Sequence, residues 1–156
     1  MADYFLKLDG IKGESTDAKH KDEIELVSFQ WGVEQAAGRP GSGAGAGKVH
    51  FKYFEFLMRV NKASPQLFLA CASGKHIKEA SLSVRKAGKG QLEYLKIKFT
   101  DVLVSSFNEA AGTEPPQETV AFNFAKIQLD YSPQQAGGKL GPALGAGWDL
   151  SKNVKI

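Results

Sequence analysis

The segment QLEYLKIKFTDVLVSSF, residues 91–107, is the longest strand-like pattern in the chain and decides its fold class. Leu95, Ile97 and Phe99 occupy alternate positions, which predicts one apolar face of a β-strand. Val102 and Val104 continue the alternation with the opposite parity. Because successive side chains of a strand point to opposite faces, this change predicts a bulge or a bend within one long strand.

A second long segment changes parity in the same way. Its apolar residues are Val120, Phe122 and Phe124 in one parity and Ile127, Leu129 and Tyr131 in the other. Shorter strand patterns precede them at residues 5–9, 24–31, 49–60 and 80–85. Long strands that bend are typical of strands that curl around a barrel or pass between packed sheets.

One segment has the pattern of a helix. Ser64 and Pro65 suit the N-cap and the first helical position, and Gly74 suits the C-terminal stop. The apolar residues at helical spacing between them are Leu67, Phe68, Cys71 and Ala72. We therefore predict a mainly β fold, a small two-sheet β-barrel with one short α-helix, in a single domain that spans residues 1–156.

The composition favours a protein that folds in a reducing cytoplasm. Cys71 is the only cysteine, so no disulfide or thiolate cluster can form within the chain. The net charge of +3 comes from 20 basic and 17 acidic residues spread along the sequence, which does not indicate nucleic acid as a partner. The N-terminus lacks the apolar region of a signal peptide, and no apolar run is long enough to insert into a membrane.

The segment GRPGSGAGAGK, residues 38–48, resembles a phosphate-binding loop only in its final Gly-Lys. That loop requires glycine where Ser42 stands and a hydroxyl where Val49 stands, and it opens a helix. The residues after Lys48 have a strand pattern instead. A segment rich in glycine and alanine is more typical of a flexible arm between two strands.

No set of residues indicates catalysis, a metal or a cofactor. His20, His50 and His76 lack metal-ligand spacing, and we expect them to be solvated or hydrogen-bonded structural side chains. The remaining candidates are Ser105 and Ser106, which lack a nucleophile elbow, and Cys71, which lies on the apolar helix face. The acidic residues Asp22, Glu23 and Glu25 suit a solvated surface.

Basic residues on two strands form a strip in the sequence pattern. They are Arg85, Lys86, Lys96 and Lys98, for which we expect solvent exposure or salt bridges between subunits rather than nucleic acid. Apolar residues of both parities near Val102, Leu103 and Val104 indicate a strand covered on both faces. In a small β domain the second cover is often another subunit, which favours homo-oligomerisation.

Two other functions stay open at this point. One is a monomeric β-barrel that binds a small ligand or carbohydrate, with the glycine segment as a lid and with Tyr53, Phe54 and Trp148 lining the site. The other is a nucleotide-binding protein that uses Lys48.

Motifs along nearly the whole chain resemble a known family. They are FLKL at 5–8, KGES at 12–15, WG at 31–32, GAGKV at 45–49, SP at 64–65, SGKH at 73–76, RKAG at 85–88, EYL at 93–95, VLVSS at 102–106, NFA at 123–125, DY at 130–131 and GWD at 147–149. Their order and spacing are similar to those of the Hcp family (haemolysin-coregulated protein), the tube proteins of the bacterial type VI secretion system.

The resemblance implies a structural protein without enzymatic activity, cofactor or metal. Six copies are expected to form a hexameric ring, and stacked rings an inner tube that carries effectors in its lumen. The expected partners are further copies of the chain, secreted effectors, the spike protein at the tip and the contractile sheath, with no nucleic acid and no membrane insertion. The protein is expected to be cytoplasmic before assembly and then secreted without a cleaved signal peptide.

The resemblance also assigns roles to residues. The arm expected to contact the neighbouring subunit or the next ring consists of Arg39, Pro40, Gly41, Ser42, Gly43, Ala44, Gly45, Ala46, Gly47, Lys48 and Val49. The second strand faces the lumen in this family. If Phe29 and Trp31 point into the core, alternation leaves Ser28 and Gln30 for the channel wall. Residues 132–147 are expected to form a surface excursion before a terminal segment at 148–156.

Overall fold

A computed structural model describes residues 2–35, 48–86 and 91–156 of the chain. The elements are β1 (Ala2–Leu8), β2 (Ile24–Leu26), β3 (Ser28–Gln30), β4 (Val33–Gln35), β5 (Val49–Phe51), β6 (Phe54–Arg59), α1 (Ser64–Ser73), β7 (His76–Lys86), β8 (Glu93–Ala110), β9 (Gln117–Tyr131), β10 (Leu144–Asp149) and β11 (Val154–Lys155). The prediction of a mainly β fold with one short helix is confirmed.

The hairpin of β8 and β9 organises the larger sheet. From this hairpin the sheet continues on one side through β7 and β1 to β2, with every pair antiparallel. On the other side, the first half of β9 pairs with β6 and the second half pairs with β10. Strand β9 therefore pairs with two different neighbours along its length. Strand β3 adds to the sheet beside β6, and β11 adds to it beside β10.

The predicted closed barrel is wrong for the described residues. Strand pairing gives one nine-stranded sheet and a separate ribbon of β4 and β5. The chain crosses from one end of the large sheet to another at Val27, whose N–H donates to the carbonyl of Leu57 at 2.8 Å. Strand β2 pairs only with β1, and β3 pairs only with β6. No backbone hydrogen-bond ladder therefore connects the β2 edge of the sheet to the β3 edge, and these described strands do not close into a barrel.

The predicted bends in both long strands are confirmed. Phe99 and Val102 are both buried although they differ in parity, and Asp101 between them has a positive φ of 56°. Phe124 and Ile127 are both buried on the facing strand. The two strands therefore change faces at the same level, and their register shifts again between residues 104 and 106.

Packed phenylalanine rings form the centre of the core. Phe54 lies 4.9 Å from Phe99 and 5.0 Å from Phe122, measured between ring centroids, and all three are buried. Phe29 stacks on Phe54 at 5.7 Å, and Trp31 also packs against this cluster, so both point inward as predicted. Apolar burial of this kind is the main favourable term in folding.

Helix α1 differs from its prediction in detail. It buries Leu67 and Ala70, whereas Phe68 is 58% exposed, so the predicted apolar face is rotated from the buried one. Ser64 is not the N-cap, because Ala63 takes that position and the Ser64 hydroxyl points into the protein. Gly74 ends the helix in a left-handed conformation, which confirms the predicted stop.

The surface excursion after β9 is shorter than expected. Strand β10 begins at Leu144 and pairs with β9 from Tyr131 backward, so residues 144–147 belong to the sheet. A Cβ at Gly145 or Gly147 would meet the flexible end of the Gln128 side chain, and one at Gly147 would also lie 3.0 Å from the Ile127 carbonyl oxygen. The glycine content of this segment therefore predicts a loop where the chain pairs as a strand.

Candidate functional site

Ser28 and Gln30 lie on the outer side of β3 and are both exposed, as alternation predicted. Gln30 faces Glu55 on β6, and the Gln30 Nε2 donates to the Glu55 Oε1 at 2.8 Å. Ser28 faces Leu57 on the same strand. The sheet therefore places both candidate residues in regular rows rather than in a loop.

The rows continue across two more strands. Leu57 pairs with Thr119 on β9, which in turn pairs with Asn108 on β8. We refer to the surface formed by Ser28, Gln30, Glu55, Leu57, Thr119 and Asn108 as the polar face. It lies on the side of the sheet opposite the phenylalanine core, because Phe29 and Phe56 alternate with it.

Two adjoining depressions follow the polar face. One, of about 370 Å³, is lined by Ser28, Gln30 and Glu55. The other, of about 470 Å³, lies beside the loop between β8 and β9. They share Leu57 and Thr119, so together they form one shallow groove.

The chemistry of this groove suits contact rather than catalysis. Its lining holds hydroxyl and amide side chains with two carboxylates, Glu55 and Glu114, and contains no histidine, cysteine or lysine. Glu55 accepts a hydrogen bond from the Gln30 amide, and not from a hydroxyl group that it could activate as a nucleophile. Amide and hydroxyl groups can instead exchange hydrogen bonds with water or with a polypeptide.

The glycine arm lies largely outside the described residues. Of its predicted contact residues, Lys48 and Val49 are described, and Lys48 is exposed. Val49 pairs with Gln35, so the segment between them connects the two strands of the ribbon. A strand follows Lys48, as expected, and not the helix that a phosphate-binding loop requires.

The predicted exposed basic strip is wrong at Arg85. This side chain is 4% exposed, and its two terminal nitrogens donate to Asp17 Oδ2 and Oδ1 at 2.9 and 2.6 Å. Its Nε donates to Asp3 at 3.3 Å. The hydrogen bond from Arg85 holds the pKa of Asp17 at about 2, below its ordinary 3.8, and the same contact raises the pKa of Arg85.

The exposed lysines of the strip also pair within the chain. Lys96 lies 3.4 Å from Glu93, and Lys98 lies 3.3 Å from Glu79. These contacts need no second subunit, so the expectation of intersubunit salt bridges has no support from the described residues. Exposed pairs of this kind contribute little to stability.

Sequence reasoning missed the segment that covers Arg85. Residues 12–23 form a loop, here called the covering loop, which packs over the outer face of β1. Its His20 is buried and stacks on Phe5 at 4.4 Å between ring centroids. The Arg85 guanidinium lies 4.7 Å from the same ring. The sequence feature that could have indicated this loop is Phe5, an aromatic residue on the otherwise polar side of β1 that needs to be covered.

The other candidate residues have structural contacts. His76 lies 2.7 Å from Asp101 on the surface, His50 is exposed on β5, and Cys71 is half-buried. Ser105 donates to the carbonyl of Ala121. Within the described parts of the chain, no group of three or more metal-ligating side chains is found.

A buried carboxyl group was also missed. Glu118 is 1% exposed and accepts a hydrogen bond from the Ser64 hydroxyl at the start of α1. It pairs across the strands with Glu109. Burial, together with the neighbouring Glu109, raises the pKa of Glu118.

The residues proposed for a small-ligand site do not form one. Tyr53 is 56% exposed, whereas Phe54 is fully buried in the core. Trp148 lines a separate apolar depression of about 170 Å³ with Trp31 and Phe51. The structure therefore separates three side chains that the ligand-binding alternative required together.

Comparison with known proteins decides the family. The family described as "Type VI secretion system effector, Hcp" matches residues 5–131. The chain belongs to the Hcp family. The resemblance seen in the sequence is thereby confirmed, and with it, at the level of the family, a structural tube protein of the type VI secretion system.

Individual Hcp proteins agree over the full length. Protein hcp1 of Pseudomonas aeruginosa is 42% identical over 158 residues, which cover 98% of each chain. The crystal structure of Hcp1 from Salmonella typhimurium has a TM-score of 0.86 at 40% identity and covers 99% of both chains. A structure described as a type six secretion system protein has a TM-score of 0.93 at 31% identity, with complete coverage of both chains.

Membership of the Hcp family also bears on the predictions about enzymatic activity and self-association. The family name is that of a secretion-system protein and not of an enzyme. An Hcp tube component associates with itself into rings. In the described residues of this Hcp chain, no helix has the length and apolar character needed to cross a membrane.

Proposed function

We propose that six copies of this chain close into a ring and that stacked rings form the inner tube of a type VI secretion system. The match to the Hcp family over residues 5–131 carries this proposal. The full-length similarity to Hcp1 of Salmonella typhimurium supports it. The role is structural, and the proposed subunit performs no catalysis.

The polar face is proposed to line the lumen. Ser28 and Gln30 contribute one edge, and the depressions beside them leave the face open to solvent. Hydroxyl and amide side chains suit a water-filled lumen, because they exchange hydrogen bonds with water. Glu55, the carboxylate of the polar face, already accepts a hydrogen bond from Gln30, which limits its attraction for passing charges.

The arm from Arg39 to Val49 is proposed to contact the adjacent subunit or the next ring. The ribbon supports this assignment, since Gln35 and Val49 pair and hold both ends of the arm at one place. A contact made there leaves the large sheet undisturbed. Many weak contacts along a tube add up through multivalency, although each one alone is weak.

The remaining partners follow from the same proposal. They are secreted effectors in the lumen, the spike protein at the tube tip and the contractile sheath around the tube. The subunit is proposed to reside in the cytoplasm before assembly and to leave the cell with the tube, without a cleaved signal peptide.

Native mass spectrometry at micromolar concentration tests the ring. A species of six subunits is expected, and negative-stain images of the same sample should show rings with an open centre. A strict monomer at this concentration would overturn the proposal. The lumen assignment is tested separately with Gln30→Arg, which should keep the six-subunit mass but change effector retention. Lys152→Ala, at an exposed position away from β3, is the matched control.

A further inference from the structure

The core-facing side of the large sheet continues beyond the core itself. Rows of apolar side chains cross β1, β7, β8, β9 and β10, because the residues of each row are directly paired between neighbouring strands. The first row is Tyr4, Val84, Leu95, Tyr131 and Leu144, the second is Leu6, Leu82, Ile97, Leu129 and Ala146, and the third is Leu8, Ala80, Phe99, Ile127 and Trp148. Paired side chains lie on the same face of a sheet, so these rows form one apolar surface.

The burial of these rows falls toward β10. In the first row Val84 is 2% exposed, whereas Tyr131 is 46% and Leu144 is 67% exposed. In the second row Ile97 is buried and Ala146 is exposed. The described residues of the subunit therefore cover this surface on β7 and leave it open on β10.

The open end keeps the alternation of a strand that faces a core. We refer to Leu129, Tyr131, Leu144 and Ala146 as the open apolar surface. Gln128 and Asp130 lie on the opposite face of β9, where a Cβ at Gly145 would meet both side chains. Polar and apolar residues are thus sorted between the two faces here, as they are where one face is buried. Exposed apolar patches on a folded subunit mark contact sites.

The ribbon of β4 and β5 adjoins this surface. Trp31, Val33 and Phe51 line the apolar depression of about 170 Å³ together with Leu129 and Trp148. Among the described residues, no charged side chain lines this depression, which disfavours a charged partner. The ribbon also holds both ends of the arm that is proposed to contact the adjacent copy. The open apolar surface is therefore continuous with the base of a proposed contact between copies.

A second copy of the chain is the occupant that best accounts for this surface. Hcp proteins associate with themselves, and in a closed ring each copy presents one surface to the copy before it and a different one to the copy after it. Strongly apolar faces are typical of permanent interfaces, because their separation exposes them to water. In the proposed assembly the ring is the permanent level, whereas stacked rings depend on many weak contacts.

We propose that the open apolar surface is where the neighbouring subunit of the same ring packs. This inference rests on the proposed ring. Apolar side chains of the neighbour contact Tyr131 and Leu144 and exclude water from them. The apolar face that begins in the core of one subunit thereby continues into the contact with the next.

Hydroxyl-radical labelling of isolated six-subunit rings provides the first test and requires no mutation. Tyr131 should be labelled several times less than Tyr53, and Leu144 several times less than Leu69. The reference residues are 56% and 62% exposed in the subunit and lie outside the open apolar surface. Equal labelling within each pair would overturn the proposal.

Leu144→Glu tests whether the neighbour is the cover. The side chain is exposed in the subunit, so the fold should tolerate the change, which circular dichroism verifies. The contact would bury an unpaired carboxylate, so the apparent dissociation constant of the ring in native mass spectrometry should rise by at least about tenfold. Leu69→Glu, which places the same charge at an equally exposed leucine of α1, is the matched control and should keep the six-subunit mass.

The outcomes separate this inference from the proposed function. A wild-type protein that forms no ring would overturn both. A wild-type ring that tolerates Leu144→Glu would overturn this inference alone, even if Tyr131 and Leu144 are protected from labelling, because the cover would then come from elsewhere. Equal dissociation by Leu69→Glu would also overturn it, since added charge and not its position would be the cause.

Discussion

Arg85 and Asp17 are joined by two parallel hydrogen bonds, of 2.9 and 2.6 Å, although 68 positions separate them in the sequence. The guanidinium is almost fully buried, with Phe5 beside it and Asp3 on its Nε. This pair attaches the covering loop to β7. A planar, two-pronged contact of this kind is specific to arginine.

Arg85→Lys should destabilise the protein although it keeps the charge. Lysine cannot reproduce the paired hydrogen bonds, so we expect a loss of about 1–3 kcal/mol in the free energy of unfolding. Urea denaturation measures it. Lys98→Arg, at an exposed position paired with Glu79, should change stability by less than about 0.5 kcal/mol. Equal effects of the two substitutions would contradict the structural role of the Arg85 contact.

Asp17 should make stability depend on acidity. Its pKa is about 2 in the folded protein and near the ordinary 3.8 when unfolded, so the unfolded chain binds the proton first as the pH falls. The stabilisation from Asp17 is therefore complete above about pH 4 and is lost toward pH 2. Asp17→Asn should flatten this part of the stability profile, measured by thermal melts. A variant profile that parallels wild type below pH 4 would be inconsistent with this pairing.

Glu118 should affect the pH dependence of stability in the opposite direction to Asp17. Its folded pKa lies above the ordinary 4.5, so its contribution to stability is greatest below about pH 4.5 and declines as the pH rises through the folded value. Glu118→Gln keeps an acceptor for the Ser64 hydroxyl but removes the buried charge opposite Glu109. We expect the melting temperature to rise by about 3 °C at neutral pH, with a smaller gain in acid. A lower melting temperature at neutral pH would show that the charge is stabilising.

Gly13→Ala tests how closely the covering loop approaches β2. A Cβ at Gly13 would lie 2.5 Å from the backbone oxygen of Glu23 and 2.9 Å from the Cα of Ile24. Backbone cannot move aside as a side chain can, so the expected cost is about 1–3 kcal/mol. Gly112→Ala is the control, because no atom lies within 4 Å of its added Cβ. A denaturation curve of Gly13→Ala that coincides with those of wild type and Gly112→Ala would contradict the close packing.

Deleting residues 41–46 tests the proposed role of the arm. Native mass spectrometry should still show six subunits per ring, at the lower mass of the shortened chain, whereas tubes seen by negative stain should become shorter or absent. Replacing the same six residues by a Gly-Ser sequence of equal length separates arm length from arm sequence. Unfolding of the deleted protein would show instead that this segment is part of the packed subunit.

Local patterns predicted the elements whose cause is local. The bend at Asp101 was visible because Phe99 and Val102 change parity, and the end of α1 was visible at Gly74. The outward position of Ser28 and Gln30 followed from alternation beside Phe29. Each of these features depends on residues within a few positions of one another.

The covering loop could not be predicted in this way. Alternation places Phe5 on the polar side of β1, and only the fold brings His20 and Arg85 onto that ring. The same limit made Arg85 look like part of an exposed strip. Charge in a sequence shows that a side chain needs a partner, but not that the partner lies 68 positions away.

The sequence by itself determined a mainly β chain with bent long strands, one short helix and membership of the Hcp family. Tertiary structure alone decided that the large sheet stays open at β2 and β3, that Phe68 faces outward, and that Glu118 is buried beside Ser64. The physical reason is the separation in sequence between the residues that interact. Backbone alternation and helix caps act between neighbours in sequence, whereas sheet closure and buried ion pairs depend on which distant segments compete for the same surface.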